Sequence, residues 1–157
     1  MIVVTVREEP IHSSGALSVF HAAVDELERR YGQSDDVHHL HNDELAPPRG
    51  AFLVARIDGH LAGGVGLRSI VDPALGVGEV KRLWVRPDLR RAGVAAQLMD
   101  AVQDHARSLG YQQLYLETGH AQPEALAFYP ATGWSPVDSF PPGAFTHERA
   151  TRFTKVL

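Results

Sequence analysis

The chain has 157 residues, which at about 150 per domain predicts one domain able to bury about 68–70% of its unfolded surface. Apolar residues at 44% and charged residues at 22% exclude a wholly disordered chain, a collagen and a coiled coil. The absence of cysteine excludes a disulfide framework, a thiolate nucleophile and any Cys-held metal cluster, and a net charge of −4 argues against general binding to nucleic acid.

Ile2–Arg7 is β-branched and reads as an opening strand; it lacks the basic start of a secretory signal. Leu17, Phe20, Val24, Leu27 and Tyr31 recur at helical spacing, so residues 14–31 read as an amphipathic helix ending at Gly32. Residues 33–50 are polar and irregular. Ala51–Ile57, the turn Asp58-Gly59 and His60–Leu67 read as a β-hairpin. Asp72 to Gly78 is turn-rich. Glu79–Val85 is a strand closed by Pro87, and Val94, Leu98, Val102, Ala106 and Leu109 mark a helix over 94–109 stopped by Gly110. Gln113–Thr118 is a strand. Pro123 opens a short helix through about Tyr129. Ser135–Val137 and Arg149–Val156 read as two last strands. The order β-α-β-β-β-α-β-α-β-β describes a single mixed α/β domain. No apolar run approaches the roughly 18 residues of a membrane span, and a soluble, cytoplasmic domain is the expectation.

Charge is unevenly spread. Residues 1–78 hold 6 Lys+Arg against 11 Asp+Glu, while Lys81, Arg82, Arg86, Arg90 and Arg91 crowd into eleven residues opposed only by Asp88. Such a local basic patch suits a small anionic ligand, or else forms a solvated face. Within it, Arg90, Gly93 and Ala95 spell R-x-x-G-x-A between a strand and a helix. Gly93 allows close backbone approach or positive φ. The free N–H groups of the helix start carry the positive end of its dipole, a ready phosphate site. No Gly-Lys-Ser/Thr follows, so this is not a nucleoside-triphosphate loop of that type. Gly63-Gly64-Val65-Gly66 opens no helix and reads as a bulge or close packing rather than a dinucleotide fingerprint.

Three linked stretches carry a family resemblance. Glu79-Val-Lys-Arg-Leu-Trp-Val-Arg-Pro-Asp-Leu-Arg-Arg-Ala-Gly-Val-Ala-Ala-Gln-Leu-Met99 resembles the acetyl-CoA-binding motif of the GNAT (GCN5-related) N-acetyltransferases. Leu114-Tyr-Leu-Glu-Thr118 and Ala125-Leu-Ala-Phe-Tyr-Pro-Ala-Thr-Gly-Trp134 resemble the family's next strand and its A-x-x-[LF]-Y-x-x-x-G-[FWY] segment. The likeness covers about 79–137.

The resemblance implies the acyl-CoA N-acyltransferase fold: a mostly antiparallel central sheet with one splayed strand pair, flanked by helices. The pantetheine arm would lie along Leu83, Trp84 and Val85, as an added strand would. Arg90, Arg91, Ala92, Gly93, Val94 and Ala95 match the pyrophosphate loop, where backbone groups do most of the work. Gln122 stands where relatives often carry Asn against the CoA arm; it is otherwise a polar helix-terminal residue. Tyr129 matches the tyrosine that protonates the leaving thiolate, a role a neutral phenol of pKa near 10 can fill. Its alternative is a partly buried aromatic bonded to a backbone carbonyl. Pro130 disfavours helical backbone at Tyr129 and puts its aim in doubt.

The acceptor amine must lose a proton, and Glu79 and Glu117 are the candidate acids beside it. Alternation places Glu117 on one face with Tyr115 and Gln113. Either glutamate can instead be an ion-pair partner of Lys81 or Arg82. His38, His39 and His41, with Asp43 and Glu44, lack metal-site spacing and read as solvent-facing or substrate-bordering; no metal is expected. Ser139–Phe145 is a Pro/Gly loop that caps the acceptor site, packs on a partner chain or does neither. The expected reaction moves acetyl from acetyl-CoA directly to a primary amine of a small molecule. Its rivals are a protein or peptide acceptor and a non-catalytic acyl-CoA sensor. A homodimer follows from the resemblance alone.

Overall fold

A computed structural model describes residues 2–32, 42–119, 122–144, 146 and 149–157. The elements follow the expected order: β1 (Val4–Glu8), α1 (Ser14–Tyr31), β2 (Ala51–Ile57), β3 (His60–Ser69), β4 (Val77–Val85), α2 (Val94–Ser108), β5 (Gln113–Thr118), α3 (Pro123–Ala131), β6 (Ser135–Val137) and β7 (Thr151–Val156). The strands form one sheet in the order β1-β2-β3-β4-β5-β7-β6. Every neighbouring pair is antiparallel except β4 and β5. That parallel pair requires a crossover, and α2 supplies it.

Both faces of the sheet are covered, so β2 is apolar from Ala51 to Ala55 rather than alternating. Leu53 and Ala55 pack with the α2 residues Val94, Leu98, Met99, Val102 and Ala106. Phe52 and Val54 point the other way, to Ala16, Val19 and Phe20 of α1 and to Ile11 and Leu45. The Ser13 side chain caps α1, accepting from Ala16 N.

Element edges moved for physical reasons. The first strand starts at Val4, because Ile2 and Val3 lie exposed beyond its pairing with β2. Helix α3 runs past the expected end at Tyr129, through Pro130 to Ala131. Proline in the last turn forgoes one donor there, and Thr132 closes the end, with its N and Oγ1 both donating to Phe128 O. The glycines of β3 serve close packing, as expected. A Cβ on Gly63 would collide with the Trp84 carbonyl oxygen, and one on Gly66 would lie 2.8 Å from Leu45 Cδ2.

Candidate active site

Pairing between β4 and β5 lasts only three residues, from Val77↔Gln113 to Glu79↔Tyr115. Both strands continue, to Val85 and Thr118, without a bond between them. The sheet therefore opens into a fork just where β4 bulges. Opposite β3, Gly66 pairs with Lys81 but Gly64 pairs with Trp84, so β4 carries one extra residue. Arg82 sits in that bulge at φ 57°, a left-handed backbone uncommon for a side-chain-bearing residue.

The bulge reverses the alternation of β4. Before it, Val80 packs on the α2 side; after it, Leu83 and Val85 do, while Trp84 turns to the α1 side. Strict alternation would have put Glu79 and Val85 on one face. The Trp84 indole Nε1 is buried without a hydrogen bond. Its side chain belongs to the core against α1, which leaves the open edge of β4 to backbone groups.

The fork leads into the loop before α2. Pro87–Leu89 forms a single tight turn, Arg91 stands at φ 71° and Gly93 at φ 84°. Gly93 is the N-cap of α2 and supplies no side-chain acceptor to the helix start. The first helical N–H groups have no intrahelical partner, because the ladder begins with Gln97 N donating to Gly93 O. A Cβ built on Gly93 would meet nothing within 4 Å. The loop thus offers an open, uncapped, positively polarised helix end, which fits a diphosphate. The Arg90 side chain is committed elsewhere: Nε donates to Val85 O (2.9 Å) and Nη2 to Glu26 Oε1 (2.6 Å). Its role in the structure is to tie the loop to β4 and α1. Gln122 Nε2 donates to the Tyr31 hydroxyl at the end of α1 (3.2 Å).

Tyr129 lies in the same buried cluster as Val85 and the β5 residues Leu114 and Leu116. Its ring meets Phe128 (5.4 Å), Trp134 (6.1 Å) and Phe153 (5.7 Å). Its hydroxyl makes no hydrogen bond with any described residue, and burial pushes it well above the ordinary tyrosine value. The helix continues through Pro130, and the ring is wedged in the core.

The two glutamates share the α1 side of the fork. Glu79, 1% exposed, pairs across β3 with Arg68, whose Nε and Nη2 both donate to Glu79 Oε1 (2.9 and 2.8 Å). Glu44 takes the remaining arm of Arg68 (3.0 Å). Glu117 is buried on β5, 3.8 Å from Arg152 Nε on the paired strand β7. Tyr115, between them on this face, stacks edge-on with Phe140 from the Pro/Gly loop (5.2 Å). That contact seats the Pro/Gly loop against β5 on this face. His38, His39 and His41 lie outside the described residues. Among the described residues no group of His, Asp or Glu is placed to hold a metal ion, and no helix is long and apolar enough to cross a membrane.

A family model, Acetyltransferase (GNAT) family, matches residues 17–134. The chain belongs to the GNAT family. A protein named IAA acetyltransferase from Azospirillum brasilense is 34% identical over 122 residues, covering 76% of this chain and 78% of that one. The putative acyl-CoA N-acyltransferase of Klebsiella pneumoniae superposes with a TM-score of 0.77 at 22% identity, over 99% of this chain and 98% of that one. An N-acetyltransferase of Thermoplasma acidophilum, solved in complex with coenzyme A, matches with a TM-score of 0.74 at 15% identity, over 99% of both chains. The GNAT chain is therefore an N-acetyltransferase, and its forked sheet is the acyl-CoA N-acyltransferase fold.

Proposed function

We propose that this N-acetyltransferase transfers acetyl from acetyl-CoA to a primary amine of a small molecule, directly, in a ternary complex. The observation that carries the reading is the fork between β4 and β5 running into the uncapped end of α2 at Gly93. Acetyl-CoA would supply a thioester-activated acetyl group with a thiolate as leaving group. The backbone of Leu83, Trp84 and Val85 would pair with its extended arm as a missing strand does. The N–H groups from Gly93 to Ala95 would hold its diphosphate, with Arg90, Arg91 and Ala92 shaping the turn, Val94 seating the helix in the core and Gln122 bordering the arm.

Tyr129 would keep its proton on Oη until the thiolate develops, because burial suppresses the phenolate. Glu117 would accept the proton that the attacking amine releases. Glu79 is less free for that task, since Arg68 already donates twice to one of its oxygens. With no cysteine in the chain, no acetyl-cysteine forms on the protein. Alignment of amine and thioester in the fork would supply much of the acceleration. The A. brasilense relative favours a small acceptor over a protein.

The test is a thiol-release screen with acetyl-CoA over amines, amino acids, aminoglycosides, polyamines and peptides. Release with a small amine is expected. Release with peptides alone would make it a protein acetyltransferase. Tight coenzyme A binding with no release for any acceptor would make it a sensor.

A further inference from the structure

On the α1 face of the fork, a donor and an acceptor that make no hydrogen bond with any described residue stand side by side. Lys81 follows the last residue of β4 that pairs with β5 by two positions, and its side chain is 10% exposed. Its ammonium carries three N–H donors and makes no hydrogen bond with any described residue; its contact is a 3.6 Å ion pair with Glu79 Oε2. That oxygen is itself buried and accepts no hydrogen bond, because both donors of Arg68 go to Oε1. A buried carboxylate oxygen in this condition is costly, and the mostly enclosed ammonium beside it has few other partners. The positions are held firmly. Arg68 fixes Glu79, Leu45 packs on Gly66, the cross-strand partner of Lys81, and Glu44 fixes Arg68 from the rim.

A ligand that satisfies both carries a donor and an acceptor oxygen a few ångströms apart, and an ammonium beside Glu79 with a carboxylate beside Lys81 matches their charges best. We propose that the acetyl acceptor is an amino acid, whose amine is received at Glu79 Oε2 and whose carboxylate is received at the Lys81 ammonium. The amine then lies on the face that also carries Glu117, whose charge Lys81 feels. A plain amine would satisfy Glu79 and leave the Lys81 ammonium with no anion besides Glu79. Desolvation disfavours the Lys81 ammonium in the free protein, and an arriving carboxylate restores it. The inference rests on the N-acetyltransferase reading above, but it concerns the acceptor end alone.

The experiment compares each of a set of amino acids with the amine left by its decarboxylation and with its carboxamide, in wild type, Lys81→Met and Lys81→Arg. The first readout is kcat/KM for thiol release. The second is the melting shift that each compound causes in the protein saturated with coenzyme A, which needs no turnover. Wild type should prefer the best amino acid over its decarboxylated partner by about 10- to 100-fold, the scale of a charge-assisted hydrogen bond. Lys81→Met should erase that preference through KM, and Lys81→Arg should keep part of it. A wild type that uses or binds both partners equally would overturn the proposal. So would a Lys81→Met variant that slows both equally, since Lys81 would then serve catalysis or folding. Absence of thiol release with every compound, alongside an amino-acid-specific melting shift, would sink the transfer reading and keep the binding site.

Discussion

The two ends of the cleft are built from different material. At the α2 end the groups left open are backbone N–H groups and a bare glycine, while the nearest arginine is tied to Val85 and Glu26. At the proposed acceptor end the groups are side chains: Glu79, Lys81, Glu117 and Tyr115, gathered from two strands and braced by Arg68, Glu44 and Arg152 from three other segments. A main-chain site is indifferent to most substitutions and suits a diphosphate. A side-chain site changes with each residue and suits a specific acceptor. The contrast predicts that mutations will divide by which binding step they alter.

The largest effect on turnover should come from Tyr129→Phe, which removes the proposed proton donor and leaves the core packed. Turnover should fall by about 100-fold, the lower scale of general acid catalysis, with coenzyme A affinity within twofold by calorimetry. An unchanged rate would end the acid role. Because burial raises the Tyr129 value, its proton is retained through the ordinary tyrosine range near pH 10. The wild-type rate should therefore climb with pH as the acceptor amine deprotonates, with no alkaline fall from this group up to that pH.

Gly93→Val should act at the other end. Its φ of 84° costs a side-chain-bearing residue about 1–3 kcal/mol, and the new side chain would stand in the open space above the helix end. Coenzyme A affinity should weaken by tenfold or more, as read by calorimetry. Unaltered affinity would move the diphosphate elsewhere.

Glu79→Gln sharpens the acceptor end by a stability measurement. It leaves Arg68 and Lys81 without their buried countercharge. Breaking such a pair costs about 3–5 kcal/mol, or about 6–20 °C in melting temperature for a domain of this size. A smaller loss would mean that the pair is well solvated. Smallest should be Arg90→Ala: coenzyme A affinity lower by about threefold through a looser loop, with the partly exposed pair to Glu26 contributing under about 1 kcal/mol. A loss as large as that of Gly93→Val would show that the guanidinium itself grips phosphate.

Helix α1, the hairpin β2–β3 and β5 follow from periodicity and turn residues, and they form within a residue or two of where those signals put them. The loop before α2 is readable for the same reason: a glycine with positive φ at a helix start is a local event, complete within a few residues of sequence. Tyr129 was readable as a motif but not as a geometry. Proline after it argued for a broken helix, and only the bonds from Thr132 and the ring contacts with Trp134 and Phe153 keep it in line.

What the sequence determined by itself is therefore the set of elements, the helix-end loop and the family to which three short motifs point. The fork, the bulge and the partners of each charge were decided by tertiary structure. Strand alternation runs on unless something interrupts it, and nothing in Glu79–Val85 announces that Arg82 takes a left-handed backbone and turns Trp84 to the opposite face. Nor does sequence tell which of Arg68, Lys81 and Arg82 will answer Glu79. Cross-strand register settles that, bringing Arg68 from eleven residues away to one oxygen and leaving Lys81 beside the other.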